Sequence, residues 1–295
     1  MSSSLVLALP ALAALGYVAA VLLLKNALNA GCRQSQVNLA ANLVPAGLFQ
    51  MLWLVADRVD WSEMWRPALA TVSFLIGQIF TFRALRAGEV SVATPLLGTK
   101  VLLTAVFSAL LFGQAIAATW WIGAAASTMG VVLVTGATWR LLAPRLRKPD
   151  AMYSLGAAAF FGLTDVLVQH WARSVGIPAF VAVMFGLVGV ASLFLFLPGE
   201  GRRIFTLPGA AWAPLLIGST VLGVQALGMA VALGLHESAT AVNIVYSSRA
   251  VWSVVFAWLV ARIWSGDEAH DSAEVMRRRL AGAVLLFAAV VVVLI

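Results

Sequence analysis

The chain has 295 residues, 62% of them hydrophobic and 11% charged, with a formal net charge of +7. A soluble domain is about 45–50% apolar and about 25% charged, so the composition excludes an ordinary soluble enzyme or binding module and points to a membrane protein. One cysteine, Cys32, excludes an intramolecular disulfide.

Ten apolar runs follow one another along the chain, at roughly 4–24, 36–56, 67–87, 90–112, 117–138, 152–172, 178–198, 210–233, 238–262 and 277–295. Each is near the roughly 20 residues that a helix needs to cross a bilayer core. Lipid offers the backbone no hydrogen-bond partner, and the short outward/inward alternation of a membrane barrel is absent, so the runs are expected to be helices. The first run lacks a basic leader and is expected to be a retained span rather than a cleaved signal. The clearest linkers, "DRVDWSEMWR" (57–66), "RLLAPRLRKPD" (140–150) and "SGDEAHDSAEVMRRR" (265–279), are short and polar. Of the 19 basic residues, 14 follow odd-numbered spans, 3 follow even-numbered spans, and Lys100 and Arg249 lie inside spans. Basic loops between spans suit orientation and lipid head groups better than nucleic acid. The positive-inside rule puts the odd loops in the cytoplasm and both termini outside.

The fourth run has an echo in the ninth. "GEVSVATPLLGTKVLLTAVFSALL" (88–111) overlies "ESATAVNIVYSSRAVWSVVFAWLV" (237–260) at an offset of 149, so that Ser91 meets Thr240, Lys100 meets Arg249, Thr104 meets Ser253 and Phe107 meets Phe256. A glycine- and alanine-rich span follows each: "WIGAAASTMGVVLV" (121–134) and "LAGAVLLFAAVVVV" (280–293). Ten spans then divide into two sets of five, 1–139 and 152–295, joined by a basic linker at 140–151. Five is odd, so the halves run oppositely through the membrane. The expected fold is an all-α polytopic membrane protein with ten transmembrane helices in two inverted five-helix repeats. Secondary transporters often have this architecture, with the substrate bound near the midplane.

Spans four and five resemble the EamA-type domain of the drug/metabolite transporter superfamily. Pro95 lies within the fourth helix, Phe112-Gly113 ends it, and Gly123-Ala124-Ala125 opens the next, with Gln114 in place of the usual acid. In the second half Ile244 stands where the proline would be, and the end of the motif is blurred into "IWSGDE". The resemblance implies a bacterial inner-membrane carrier of small metabolites, monomeric or homodimeric, with a central cavity lined by spans 1–4 and 6–9. It also implies cytoplasmic termini, the reverse of the charge count, so orientation stays open between the two.

Lys100 and Arg249 sit about ten residues into their spans. A charge at the bilayer centre costs roughly 2.5–3.5 kcal/mol on insertion scales, and such residues face a bundle interior or water. Helical spacing puts Thr94, Leu97, Lys100 and Thr104 on one face, and Asn243, Tyr246, Arg249 and Ser253 on another. An anion site is expected: arginine offers a planar fork to carboxylate or phosphate and lysine a mobile point charge. Structural ion pairing, or a cation that only shapes the cavity, are the alternatives. Asp165, in "GLTDVLVQHW", is the one acid deep in a span, and is expected to pair with Lys100 or Arg249 or to carry a coupling proton. Gln78, Gln225 and Asn42 are further candidates for the cavity wall, although helix-to-helix hydrogen bonds suit them equally. Trp61, Trp65, Trp120, Trp121 and Trp212 near span ends suit interfacial anchoring. No phosphate loop, metal-ligand set or nucleophile elbow appears, so neither a cofactor nor a metal is expected. The expected function is alternating-access transport of a small organic anion or zwitterion. An exporter of amino acids or amphiphilic compounds is the near alternative, and a membrane-embedded lipid-handling protein or enzyme the distant one.

Overall fold

The computed structural model describes residues 3–56, 59–87, 95–136, 146, 148–196, 206–264 and 273–294. Ser91, Thr94 and most of the basic linker lie outside them. Among the described residues every regular element is helical. Seven helices among the described residues are long and apolar enough to cross a membrane: Val6–Asn29, Gln34–Val55, Trp61–Ala84, Pro95–Phe112, Pro149–Val175, Ile177–Leu195 and Gly209–Leu235. The other three expected spans are shorter or interrupted. The fifth is Ala118–Val134, of 17 residues, about 26 Å at 1.5 Å per residue. The ninth is two helices, Ala239–Tyr246 and Arg249–Trp264. The tenth, Ala273–Leu294, carries Arg277, Arg278 and Arg279 early in the helix, which leaves 280–294 as its apolar part.

Local chemistry sets several boundaries. Gln36 accepts from the Arg33 amide at 2.7 Å and so caps the second span. Past Pro45 that helix tightens to a 3₁₀ turn, Gln50–Val55. There the Gln50 amide donates to the Ala46 carbonyl at 2.9 Å, an acceptor the helix end would otherwise strand, and to the Ala182 carbonyl of the seventh span at 3.1 Å. Gly176, at φ +92°, makes the turn between the sixth and seventh spans, a conformation that costs glycine nothing. The sixth helix starts at Pro149, inside the stretch expected to be linker, because proline's fixed φ suits a first helical position.

By internal packing the chain forms two units. One comprises Met1–Ala11, Ser73–Val166 and His236–Ile295, the other Leu12–Val72 and Leu167–Leu235. Each draws on both sequence halves. In the first unit the fifth span packs on the tenth and the fourth on the ninth; in the second unit the second span packs on the seventh. These are the partners an offset of five spans pairs. Glycine makes the fifth–tenth contact close: a Cβ on Gly282 would stand 2.6 Å from the Val134 nitrogen and 2.8 Å from the Gly130 carbonyl oxygen. Small residues that let backbones touch are how helices associate in lipid, where burying apolar surface gains little.

Candidate functional site

The fourth and ninth spans are interrupted at the same repeat position. Residues 98–99 form a turn between Pro95–Leu97 and Lys100–Phe112, and residues 247–248 form one between Ala239–Tyr246 and Arg249–Trp264. In both, backbone bonding shortens from i−4 to i−3. Gly98 donates to Pro95 at 3.0 Å and Thr99 to Leu96 at 3.1 Å; Ala250 donates to Ser247 and Val251 to Ser248, each at 3.0 Å. Hydroxyls at the turns take carbonyls too: Thr99 Oγ1 donates to Leu96 O and Ser247 Oγ to Ile244 O, both at 2.6 Å. Short polar side chains compete with the ladder in this way, and a mid-span 3₁₀ turn is a frequent mark of function. Lys100 and Arg249 are each the first residue after the turn. Thr104 and Ser253 then repeat one bond, each hydroxyl donating at 2.8 Å to the carbonyl of the cationic residue four positions back.

The charged side chains meet different partners. Asp165, from the sixth span, forms an ion pair with Lys100 (Nζ–Oδ2 2.6 Å), both side chains about 15% exposed, at 15% and 14%. Pairing with Lys100 was one of the alternatives open from sequence. Arg249 lies over the Tyr246 ring, Cζ 4.6 Å from its centroid, and Nη1 donates to the Tyr246 hydroxyl at 3.3 Å. Lys100 Nζ is 5.9 Å from the same centroid. One buried tyrosine thus serves both cations, a contact worth about 2 kcal/mol where water is excluded.

The other candidates fall into place around this cluster or away from it. Asn243 is buried in the same unit and its amide donates to Ala239 O at 3.0 Å, a bond within its own helix. Gln78 is half-buried in the third span, Trp65–Ala87. Asn42 and Gln225 belong to the other unit. There Asn42 donates to Ser192 Oγ at 2.8 Å, a buried helix-to-helix bond, and Gln225 donates to Leu222 O at 3.1 Å. Trp61 and Trp65 are exposed, Trp61 stacked on Trp53 at 5.9 Å and Trp65 set edge-on to Trp171 at 5.1 Å.

Two residues matter more than their sequence signal suggested. Gln114, standing where the resemblance leads one to expect an acid, donates its amide to the Glu237 carbonyl. An ionised carboxylate has no proton to give there. The second is Gly162, three residues before Asp165, whose missing Cβ lets the sixth span come against Thr104 and the Lys100 carbonyl.

Residues 3–136 match the sequence profile of the EamA-like transporter family. The chain carries an EamA-like transporter domain. The family is one of transporters, and the match covers the first half of the chain as the repeat divides it. A full-length chain of known crystal structure, 16% identical, superposes with a TM-score of 0.72 over 99% of this chain and 98% of that one. At that identity the likeness shows the fold alone. No curated protein matches in sequence.

Proposed function

We propose that this EamA-like protein is an alternating-access carrier of a small organic anion, or of a zwitterion through its carboxylate, in a bacterial inner membrane. The anionic group meets Arg249 and Lys100. Tyr246, between them in contact, supplies a ring edge and a hydroxyl. Asp165 is the counter-ion that makes Lys100 tolerable while the site is empty, and a zwitterion's ammonium group would be its natural partner when the site is full.

One observation supports this reading above the others: two cations, at the same position of the two repeats and each just past a broken turn, converge on one buried aromatic ring with one acid beside them. Two bases and one acid leave a charge of +1 among these groups, which a monoanion would cancel. Arginine and lysine bind oxyanions by charge-assisted hydrogen bonds, which are shorter and about twice as strong as neutral ones.

The reading is tested by thermal stabilisation of purified protein with succinate, inorganic phosphate, L-leucine and tetraphenylphosphonium. A ligand that binds only the native state raises the melting point with its occupancy. Wild type is compared with Arg249→Ala and with Lys100→Met/Asp165→Asn, which removes the pair without stranding a charge. Stabilisation by anions or the zwitterion, lost in Arg249→Ala, supports the proposal. Stabilisation by the lipophilic cation alone favours an exporter of amphiphilic compounds, in which the basic residues only shape the cavity.

A further inference from the structure

Glycine in the middle of a helix is unfavourable relative to alanine. Gly162 lies in the middle of Pro149–Val175, fully inside the helix and buried. A Cβ built on it would stand 3.2 Å from Thr104 Oγ1, 3.4 Å from the Lys100 carbonyl oxygen and 3.4 Å from the Thr104 nitrogen. All three atoms belong to the turn of the fourth span that carries Lys100. That turn has little room to yield: Thr104 is 0% exposed, and its hydroxyl is held by the Lys100 carbonyl at 2.8 Å. Asp165 is three residues further along the same helix, on the face that Gly162 presents. Its carboxylate stands 2.6 Å from Lys100 Nζ, one turn from the point where the two helices touch at Gly162.

The helix's other close contacts have a different purpose. Gly77 of the third span would meet Phe161 at 2.9 Å, and Gly156 would meet Phe80 at 2.6 Å. Those glycines receive aromatic side chains between spans three and six. Gly162 receives backbone and a hydroxyl from the element that carries a site cation.

We propose that Gly162 is a positioning residue of the transport site, setting the separation of the fourth and sixth spans at which Asp165 neutralises Lys100. The inference deepens the functional reading above, but its test needs no ligand and stands or falls separately. Added volume at position 162 moves the helices apart, and the charge pair weakens in proportion. Alanine shifts the contact by a few tenths of an ångström. Valine shifts it further.

The experiment is a double-variant cycle on Lys100→Met and Asp165→Asn, read as melting temperature of the full-length protein in nanodiscs, run in the wild-type, Gly162→Ala and Gly162→Val backgrounds. Residues in direct contact give non-additive losses, and separated ones add. The account expects strong non-additivity in wild type, less in Gly162→Ala, and none in Gly162→Val. Adding Thr104→Ala to Gly162→Ala removes the hydroxyl the new methyl would strike, and is expected to restore the non-additivity. If Gly162→Val does not fold, the alanine background and its Thr104→Ala suppressor decide. A cycle unchanged by Gly162→Ala, with or without a fall in melting temperature, would overturn the proposal. So would additivity in wild type, or failure of Thr104→Ala to restore the coupling.

Discussion

The segments 95–112 and 239–256 share a backbone but not a charge environment. Both tighten to an i−3 turn at the same repeat position, place a cation immediately after it, and bind that residue's carbonyl with a hydroxyl four residues on. The differences come from what the repeat did not copy. At the position of Tyr246 the first half has Leu97, so the single ring is shared. The first span, 4–24, holds no acid to match Asp165 of the sixth, and Asp165 pairs with Lys100. A duplicated scaffold with unduplicated side chains makes a polar site with a direction, one end holding a neutralised lysine and the other an arginine on an aromatic face. Thr104 is fully buried, whereas its counterpart Ser253 is exposed, so the two ends also differ in packing.

The sharpest way to break this comparison is at the ion pair. Asp165→Asn leaves Lys100 buried beside a neutral amide, and removing one member of a buried pair costs about 3–5 kcal/mol. Lys100→Met/Asp165→Asn is expected to recover most of that loss, because two apolar or neutral groups of similar volume replace both charges. Chemical or thermal denaturation of the three proteins checks this, and equal losses in single and double variants would mean the pair is not energetically linked. Tyr246→Ala comes next, since it removes the ring under both cations; a loss of about 3–5 kcal/mol is expected for a buried aromatic, against about 1 kcal/mol for Tyr246→Phe, which removes only the hydroxyl that accepts from Arg249.

A smaller effect separates the two hydroxyls. Thr104→Ala is expected to cost about 1–2 kcal/mol, by lost packing and a lost hydrogen bond in a closed interior. Ser253→Ala, at an exposed position, is expected to fall within about 0.5 kcal/mol of wild type. Equal losses would remove the asymmetry argued above. The smallest effect lies at the start of the ninth span. His236, just beyond the eighth helix, is buried and accepts from the Ser238 amide at Nδ1 (3.0 Å), while Ser238 caps the helix through Ala241. Burial holds its pKa below the ordinary histidine value, partly opposed by the charge of Glu237. The neutral form therefore stabilises the fold. That contribution is present above the unfolded-state pKa of about 6.5 and is lost as pH falls below it. A modest fall in melting temperature between pH 7 and pH 5 is expected, absent in His236→Gln.

Much of this was legible in the chain. Ten apolar runs and an offset of 149 gave the spans, the pairing of the fourth with the ninth, and the equivalence of Lys100 and Arg249, because hydrophobic length and periodicity are properties of sequence. Partner choice was not legible. Asp165 had two cations to choose from, and the close approach at Gly162, beside its contact with Lys100, is signalled only by the absence of a side chain. Nor did the sequence distinguish Asn42, which bridges to Ser192, from a residue that faces a substrate, since both uses ask for the same amide. The helix breaks at 98–99 and 247–248 were hidden because glycine, serine and threonine at these positions are compatible with an unbroken span.

The central claim is that Arg249 and Lys100 meet the substrate's anionic group. Its most direct test is uptake into proteoliposomes of whichever anion or zwitterion stabilises the protein most, comparing wild type with Arg249→Gln, Lys100→Met/Asp165→Asn and, as a control outside the cluster, Gln225→Leu. The account predicts that Arg249→Gln raises KM at least about tenfold, the loss of one charge-assisted contact of roughly 1.5–3 kcal/mol, and that the paired variant also weakens uptake while the control does not. Uptake by Arg249→Gln with an unchanged KM would contradict it.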